Sequence, residues 1–346
     1  MKYWQYAQLI INWQHVYGRN NLPWQVYKTP YYTWISEIML QQTKVQTVIP
    51  YFKKFITEFP NIYTISCTNI NKILYLWSGL GYYSRAHSIY KTSKIIINKY
   101  NGIIPNHATE LIKLPGIGKT TAGAIISLGY NLYAPILDGN VKRILMRIYN
   151  IQPIYTLHVL QKKLWEIIEN ITPIYNTGKF NQGMMDLGAL VCLPKKPKCH
   201  LCPIKKYCQY IPQKDIQKIS FKKLLKNKKR YYVILKYDQT LFLQQRKEKK
   251  IWKNLFCFPE FTSILKMNIW LYKHNIHDNK NIQYTKVNHH CSNINLQMFF
   301  FIIQITNKKN IIQNTKNIWY NKKLNQHIGI PSPIKKIITN LIKENI

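Results

Sequence analysis

The chain has 346 residues, enough for two domains that each bury a core of their own. Its 50 Lys and Arg residues outnumber 13 Asp and Glu residues, and the formal net charge of +37 favours a polyanionic partner such as nucleic acid. A codon bias toward Lys, Asn, Ile and Tyr is a second source of that charge. The sequence has no apolar run long enough for a secretory signal or a membrane span, so we expect a cytoplasmic protein.

The pattern of apolar residues changes once along the chain. From about residue 3 to residue 210 they recur at intervals of three and four, which predicts a mainly α domain. A polar, lysine-rich stretch follows, as in a linker. Beyond it the pattern predicts a smaller α+β domain, whose elements are a β-hairpin (231–243), a buried strand (297–305) and a closing helix (334–342). The predicted divisions are a helical domain at 1–212, a linker at 213–229 and a C-terminal domain at 230–346.

One acidic residue of the helical domain, Glu37, lies in an apolar, helix-like segment. It is one of seven acids in the first 210 residues, and Trp34, Ile35 and Ile38 surround it in sequence. A carboxyl group held among apolar side chains loses hydration, so its pKa rises and it stays protonated near neutrality. The sequence therefore predicts that Glu37 is a general acid.

The segment Gly79–Ala86 places two tyrosines, Tyr82 and Tyr83, beside a glycine turn. Aromatic side chains on such a turn can wedge between base pairs and lower the cost of extruding a nucleotide. Packing in the protein core is an equally good account of one tyrosine of the pair.

The segment Leu114–Ala122, with the sequence LPGIGKTTA, lies between two apolar helical runs. Gly116 and Gly118 permit a tight turn with positive φ and a close approach of the backbone to a ligand. A helix that begins at about Lys119 would turn its free N–H groups and positive dipole end toward a phosphate. The pattern predicts a helix-hairpin-helix, which grips DNA without reading its bases. An ordinary turn between packed helices is the alternative.

A second acidic residue, Asp138, precedes Gly-Asn-Val and a helical pattern, which is a strong N-cap context. A cap also fixes the carboxylate and keeps it ionised. Cleavage of a glycosidic bond through an oxocarbenium-like state requires one protonated and one ionised carboxyl group. Glu37 and Asp138 are therefore a candidate catalytic pair, and a purely structural cap is the alternative for Asp138.

Four cysteines fall within seventeen residues in the spacing C-x6-C-x2-C-x5-C, namely Cys192, Cys199, Cys202 and Cys208. Thiolates spaced so closely are typical metal ligands. A single compact loop that supplies all four favours a [4Fe–4S] cluster, whereas zinc sites usually present two separate pairs. Zinc remains an alternative, and a disulfide reading is disfavoured because the cytosol is reducing.

Taken together, these motifs resemble the MutY family of adenine DNA glycosylases, within the endonuclease III superfamily of helix-hairpin-helix glycosylases. The likeness extends from about Trp13 to Tyr210, and more faintly to the C-terminus. The matching stretches are residues 22–24, 36–43, 77–83, the hairpin, 137–143, 181–188 and the four cysteines. The resemblance implies a six-helix module at about 23–133 and a cluster module formed by 1–22 with 134–212.

The resemblance also implies a function, the removal of adenine mispaired with 8-oxoguanine or guanine in double-stranded DNA. Glu37 would protonate the flipped adenine, Asp138 would stabilise the sugar cation, and Asn140 would orient Asp138 or the attacking water. The DNA contacts of the helical domain would come from Gln42, Tyr82, Gly116, Gly118, Lys119 and Thr120. The [4Fe–4S] cluster would serve structure and DNA binding, in a monomeric, nucleoid-associated protein of a prokaryotic cytoplasm.

One position separates two classes within that superfamily. Members with lyase activity carry a lysine immediately before the Thr-Ala of the hairpin motif, and here that residue is Thr120. Lys119 lies one residue earlier and would point elsewhere on a helix. The resemblance therefore implies hydrolysis without strand cleavage. An endonuclease III-like glycosylase/lyase acting on oxidised pyrimidines, or a non-catalytic iron–sulfur DNA-binding protein, are the alternatives.

The C-terminal domain resembles the MutT-like (Nudix) module that inspects 8-oxoguanine, on residues 252–261 and 318–321. It lacks the clustered glutamates of Nudix hydrolases, so we do not expect nucleotide hydrolysis. Where the family carries Phe-Ser-His, this chain reads Cys291-Ser292-Asn293. Ser292 is the predicted contact to the damaged base, and the missing aromatic and imidazole groups leave the strength of the 8-oxoguanine preference open.

Overall fold

The structure is a computed structural model that describes residues 4–151, 156–210, 226–247, 251–276, 283–291, 294–308, 316–321 and 327–343. It contains two compact units. The first is formed by Met1–Cys67 with Ser84–Lys218, and the second by Thr68–Tyr83 with Ile219–Ile346. No helix in the described part of the chain is long and apolar enough to cross a membrane.

Helices dominate the chain as far as the cysteine loop, as the apolar pattern predicts. In order they are α1 (Trp4–Tyr17), α2 (Pro23–Val26), α3 (Pro30–Leu40), α4 (Val45–Glu58), α5 (Ile62–Cys67), α6 (Ile70–Leu76), α7 (Ser84–Tyr100), α8 (Ala108–Leu111), α9 (Lys119–Ala124), α10 (Gly139–Ile148), α11 (Leu157–Ile171) and α12 (Thr177–Leu190). A π-helical segment, Ile125–Gly129, continues α9. All of these helices except α6 belong to the first unit.

Local sequence explains where the site-bearing helices begin. Pro30 takes the first position of α3, and the Thr29 hydroxyl accepts a hydrogen bond from the Tyr32 N–H at 3.1 Å. Asp138 caps α10 in the same way. Helix α9 begins at Lys119, as predicted, directly after the glycine turn.

One apolar core of the first unit joins the chain's beginning to its cysteine loop. It packs α1 against α10, α11 and α12, and its buried residues include Ile10, Leu145, Ile168 and Phe180. Cys192, Cys202 and Cys208 pack against its edge. The cysteine loop is therefore built onto a hydrophobic core and is not a free surface loop.

The second unit joins α6 to a seven-stranded sheet and two helices. Its strands and helices are β1 (Lys226–Tyr237), β2 (Thr240–Gln245), β3 (Phe256–Cys257), β4 (Glu260–Phe261), α13 (Ile264–Lys273), β5 (Gln283–Cys291), β6 (Ile294–Gln304), β7 (Asn317–Tyr320) and α14 (Ser332–Lys343). The strand order is β3-β2-β1-β6-β5, with β4 paired to β1 and β7 to β2. Strands β1 and β6 run parallel, and the other pairs are antiparallel.

The elements predicted for the C-terminal domain are present. The hairpin is β1–β2, the buried strand is β6, and the closing helix is α14. Strand β1 begins at Lys226, inside the stretch predicted as linker, because its polar first half pairs with β6 from Lys226 onward. Residues 213–225 of the predicted linker lie outside the described residues.

Candidate active site and cysteine loop

Glu37 lies on α3 next to some of the most deeply buried side chains of the protein. Trp34, Ile35 and Ile38 are at most 1% exposed. Glu37 itself keeps partial solvent access, but protein encloses its carboxyl group closely enough to remove most of its hydration. Burial, with a smaller contribution from the charge of Asp138, raises the pKa of Glu37 to about 7. The side chain is therefore about half protonated at neutral pH.

Asp138 is held rigidly at the N-terminus of α10. One carboxylate oxygen accepts the Val141 N–H at 2.7 Å, and the other accepts from the Asn140 side-chain amide at 3.1 Å. Burial raises the pKa of Asp138, while these two hydrogen bonds and the Arg143 charge oppose the rise by favouring the ionised form. The predicted N-cap is confirmed.

The structure brings the two predicted carboxyl groups into one electrostatic environment, although 100 residues separate them in sequence. The Asp138 charge is one of the two causes that raise the pKa of Glu37. Two acids that interact in this way ionise one after the other, because the first negative charge disfavours the second. Asp138 has hydrogen bonds that favour its charged form, so the proton resides on Glu37.

Another acid of the first unit, Asp186, has a structural role. Asp186 is completely buried and accepts from the Arg19 guanidinium, the Arg19 N–H and the Gln182 amide. This carboxylate is therefore held in structural hydrogen bonds and an ion pair with Arg19. Glu37 differs because no cation is among the causes of its pKa shift.

Thr120 connects the hairpin helix to the Asp138 loop. Its hydroxyl donates to the Leu137 carbonyl at 3.0 Å, one residue before Asp138. Lys119 takes a different direction, since its ammonium lies 2.8 Å from Glu169 and over the Trp165 ring at 3.9 Å. The amine at position 119 is therefore turned toward α11.

The two glycines of the hairpin serve different purposes. Gly116 has a φ of +82°, and a Cβ there would lie 2.6 Å from the Ser88 Cβ, so a side chain is excluded. Gly118 has a φ of −96°, and the space around it is open. Open space at the start of α9 suits the approach of a phosphate.

Gln42 follows α3 in a strained, exposed turn with a φ of +57°. Arg85, which is buried, holds that turn by donating to the carbonyls of Ile38, Met39 and Gln41. The Gln41 amide in turn donates to the Gly116 carbonyl at 3.2 Å. Sequence reasoning did not single out Arg85, and its only signal is a basic residue at the start of a helix with an apolar face.

The sequence left two roles open for Tyr82 and Tyr83, a surface wedge for DNA and packing in the protein core, and the structure gives the two residues different surroundings. Tyr83 is buried, whereas Tyr82 is 43% exposed on a backbone with a φ of +47°. One tyrosine of the pair is therefore a core residue, and the other is presented at the surface of the second unit.

The four cysteines converge on one loop that follows α12. All four are free thiols with partial burial. Burial, together with the charges of Cys192, Cys199 and Cys208, raises the pKa of the Cys202 thiol to about 11. A [4Fe–4S] cluster held by these four cysteines would remove this penalty, because iron binds its sulfur ligands as thiolates.

Two arginines of α10, which the sequence did not reveal, support the cysteine loop. Arg147 donates to the Cys192 sulfur at 3.3 Å and to the Leu193 carbonyl at 2.7 Å. Arg143 donates to the Cys192 carbonyl at 2.8 Å and to the Asn140 side chain at 2.9 Å. Helix α10 therefore connects the cysteine loop to Asp138 and Asn140.

The cysteine loop carries a donor set that suits an iron–sulfur cluster. Each of its four thiolates can bind one iron of a [4Fe–4S] cube. The donor set of four thiolates with two nearby arginines fits the cluster.

In the second unit, one acid of the segment that resembles the Nudix module is neutralised by two arginines. Glu260 on β4 forms ion pairs with Arg230 at 2.9 Å and with Arg246. The predicted base contact, Ser292, lies outside the described residues, between Cys291 at the end of β5 and Ile294 at the start of β6.

Three family models match the chain. The HhH-GPD superfamily of base excision DNA repair proteins matches residues 35–170, the iron–sulfur binding domain of endonuclease III matches 192–208, and the NUDIX domain matches 230–340. The fold and the site therefore define a base excision repair DNA glycosylase with a [4Fe–4S] cluster loop and a C-terminal Nudix domain.

Relatives narrow that class. Adenine DNA glycosylase of Buchnera aphidicola subsp. Acyrthosiphon pisum is 49% identical over 99% of this chain and 98% of its own length. Among solved structures, a thermostable thymine-DNA glycosylase is 30% identical, with a TM-score of 0.56 over 60% of this chain and 96% of that chain. An endonuclease III–DNA complex, at 20% identity and a TM-score of 0.50, shares the fold over 60% of this chain and 96% of that chain. The chain belongs to the adenine DNA glycosylase family, and the resemblance inferred from its motifs is confirmed.

Proposed function

We propose that this enzyme hydrolyses the N-glycosidic bond of adenine mispaired with 8-oxoguanine or guanine in duplex DNA. One observation carries the proposal: the Glu37 carboxyl, with its pKa near 7, is coupled to the capped carboxylate of Asp138. The relatives named adenine DNA glycosylase support the choice of base.

The two carboxyl groups divide the chemistry between them. Protonated Glu37 donates its proton to a ring nitrogen of the extruded adenine, which makes the base a better leaving group. Asp138 stays ionised and stabilises the positive charge that develops on the sugar. Asn140 donates to Asp138 at 3.1 Å and so holds that carboxylate in one orientation while water completes the hydrolysis.

The DNA contacts are assigned to turns rather than to long helices. We assign Gln42 and Tyr82 to contacts with the opposite base and the distorted duplex, and the exposure of both side chains supports this assignment. The hairpin binds the DNA phosphates through Gly116, Gly118, Lys119 and Thr120. When DNA binds, Lys119 leaves its ion pair with Glu169 and pairs with a phosphate instead. Ser292 remains the assigned contact to the damaged base.

We assign hydrolysis without strand cleavage. The residue at the lyase position, Thr120, carries a hydroxyl that donates to the Leu137 carbonyl, and it lacks the amine that attacks the sugar in lyase members. Borohydride treatment of the enzyme–DNA mixture should trap no covalent adduct. Trapping would favour the glycosylase/lyase alternative.

We place the domain boundaries at 1–212 and 230–346, with the cluster module built from 1–22 and 134–212. The [4Fe–4S] cluster, held by Cys192, Cys199, Cys202 and Cys208, would supply a rigid, charged support for the DNA-facing loop. A monomer in the cytoplasm, at the nucleoid, fits a chain of net charge +37.

The test is single-turnover release of adenine from duplexes that pair it with 8-oxoguanine, guanine or thymine. We expect release from the first two, and a loss of about 100-fold or more in Glu37→Gln, because the amide cannot donate the proton of an acid. Glu166→Gln makes the same change on an exposed helix face and should leave the rate unaltered. Full activity in Glu37→Gln would remove Glu37 from the mechanism, and no release by the native enzyme would refute the proposed substrate.

A further inference from the structure

The segment Thr68–Tyr83 belongs to the second compact unit, although the superfamily model spans it as part of residues 35–170. It consists of α6 and the glycine turn that ends at Tyr83. The chain enters this unit after Cys67 and leaves it before Ser84. The shape of this piece of the glycosylase sequence is therefore set by contacts with the C-terminal sheet and its helices.

The turn is strained, and it exposes one large side chain. Gly79, Gly81 and Tyr82 have φ values of +109°, +76° and +47°. Trp77, Leu80 and Tyr83 are buried, whereas Tyr82 is 43% exposed. A non-glycine residue stays in the left-handed region only when its surroundings hold it there. Something must therefore fix this turn.

Two hydroxyl groups converge on one backbone carbonyl next to the turn. The Ser78 hydroxyl donates to the Ile330 carbonyl at 2.6 Å, and the Tyr83 hydroxyl donates to the same oxygen at 3.4 Å. The Tyr83 hydroxyl also accepts the Gly79 N–H at 3.3 Å. We call Ser78, Tyr83 and the Ile330 carbonyl the Ile330 clasp. Both of its hydroxyls flank the strained residues in sequence.

The clasp is anchored in the apolar core of the C-terminal unit. The Ile330 side chain packs there with the α14 residues Ile334 and Ile338. Gly329, one residue earlier, lies so close to α6 that a Cβ there would be 2.7 Å from the Leu74 Cβ, so no side chain fits at this position. The Tyr75 ring of α6 also packs on His327, with centroids 4.8 Å apart. The carbonyl therefore cannot move independently of the sheet.

We propose that the C-terminal unit holds the Gly79–Tyr83 turn in the shape that presents Tyr82, with Ser78 and Tyr83 as positioning residues for base extrusion. This inference rests on the proposed function. The hydroxyls act on base extrusion, before the chemical step. If Tyr82 is already held in place, no conformational entropy is lost in ordering it while the base leaves the stack. Without the clasp, Tyr82 samples other positions and extrusion slows.

The test uses the full-length, cluster-loaded enzyme and the variant Ser78→Ala. We expect single-turnover release from duplex DNA to fall about fivefold, the scale of one lost hydrogen bond. Release from single-stranded DNA, which needs no extrusion from a stack, should fall less. Ser78→Thr keeps a hydroxyl and should restore the rate. The matched control is Ser66→Ala, whose hydroxyl donates to the Tyr63 carbonyl of its own helix at 2.9 Å.

A double-mutant cycle with Tyr82→Ala separates positioning from general stability. If Ser78 acts through Tyr82, then Ser78→Ala has no further effect on a protein that already lacks the wedge. The fluorescence of 2-aminopurine beside the target adenine should report slower unstacking in Ser78→Ala and in Tyr83→Phe. Tyr83→Phe keeps the ring and removes the second hydroxyl, so it tests the clasp even where Ser78→Ala folds poorly.

Three outcomes would overturn the clasp. One is a rate in Ser78→Ala and Tyr83→Phe that matches Ser66→Ala. Another is a loss that adds fully to that of Tyr82→Ala. The third is a lower melting temperature with unstacking unchanged. These results differ from a failure of the proposed function, in which the unmodified enzyme itself releases no adenine from the mispaired duplexes.

Discussion

Glu37 and Glu110 are two glutamates on helices of the same unit, and their environments shift their acidity in opposite directions. Burial without a cationic partner raises the pKa of Glu37 to about 7. Hydrogen bonds from Lys113 and Tyr100, both at 2.6 Å, lower the pKa of Glu110 to about 2. An acid that must hold a proton at neutral pH has apolar neighbours, and one that supports a helix end has donors.

The environment of Asp138 combines features of the other two, since its carboxyl group is buried like that of Glu37 and hydrogen-bonded like that of Glu110. The carboxylate accepts hydrogen bonds from Val141 and Asn140, and its charge raises the pKa of Glu37. The pair thus combines the two environments at one place, one suited to an acid and the other to an anion. Glu110 shows what results when only donors are supplied.

The largest expected effect comes from removing the charge of Asp138. Asp138→Asn should lower single-turnover release by about 100-fold or more, because a neutral amide cannot stabilise a developing sugar cation. Asp238→Asn is the matched control, since Asp238 lies in an exposed turn at a φ of +46° that asparagine also tolerates. Equal rates in the two variants would leave Asp138 as a structural cap only.

The pH dependence of the native rate is the next test. Release needs protonated Glu37, so we expect the rate to fall above about pH 7 by an amount that approaches tenfold per pH unit. Release also needs ionised Asp138, so a second fall should appear in acid, where that carboxylate takes up a proton. The residual activity of Asp138→Asn should lose rate at lower pH, because removing the Asp138 charge lowers the pKa of Glu37. Glu110→Gln should leave the alkaline limb in place. If the alkaline fall occurs at the same pH in the native enzyme and in Asp138→Asn, the charge of Asp138 does not influence the pKa of Glu37.

The smallest expected effect concerns stability at Glu110. Because the pKa of Glu110 is lowered in the folded state, its ion pair stabilises the protein above the ordinary value of 4.5 and is lost as pH falls toward 2. Glu110→Gln should therefore lower the melting temperature slightly at pH 7, and the difference should narrow below pH 4.5. The site is exposed, so added salt should also narrow the difference. A gap that widens in acid would contradict this sign.

Much of the fold and part of the site could be read from local pattern. The cap at Asp138, the start of α9 at Lys119, the β1–β2 hairpin and the helix α14 all depend on neighbouring residues, and each is present. The cluster loop was predictable because all four sulfurs occur within seventeen residues. The positive φ predicted for the hairpin turn occurs at Gly116.

Contacts between distant residues escaped the sequence. Arg85 reaches back to the end of α3, and Arg143 and Arg147 reach forward to the cysteine loop. An arginine has no preferred partner at a fixed spacing in sequence, so no local sequence pattern predicts these hydrogen bonds. The same holds for the Ser78 hydroxyl, whose acceptor is 252 residues away.

The sequence by itself determined which residues are available for chemistry: two acids in suitable local settings, four clustered thiols, a glycine hairpin and a tyrosine turn. Only the tertiary structure decided that the pKa of Glu37 rises to about 7, that the Asp138 charge contributes to that rise, and that residues 68–83 belong to the same compact unit as the C-terminal sheet. The physical reason is that pKa and packing depend on what surrounds a group in space, and folding brings those surroundings from distant parts of the chain.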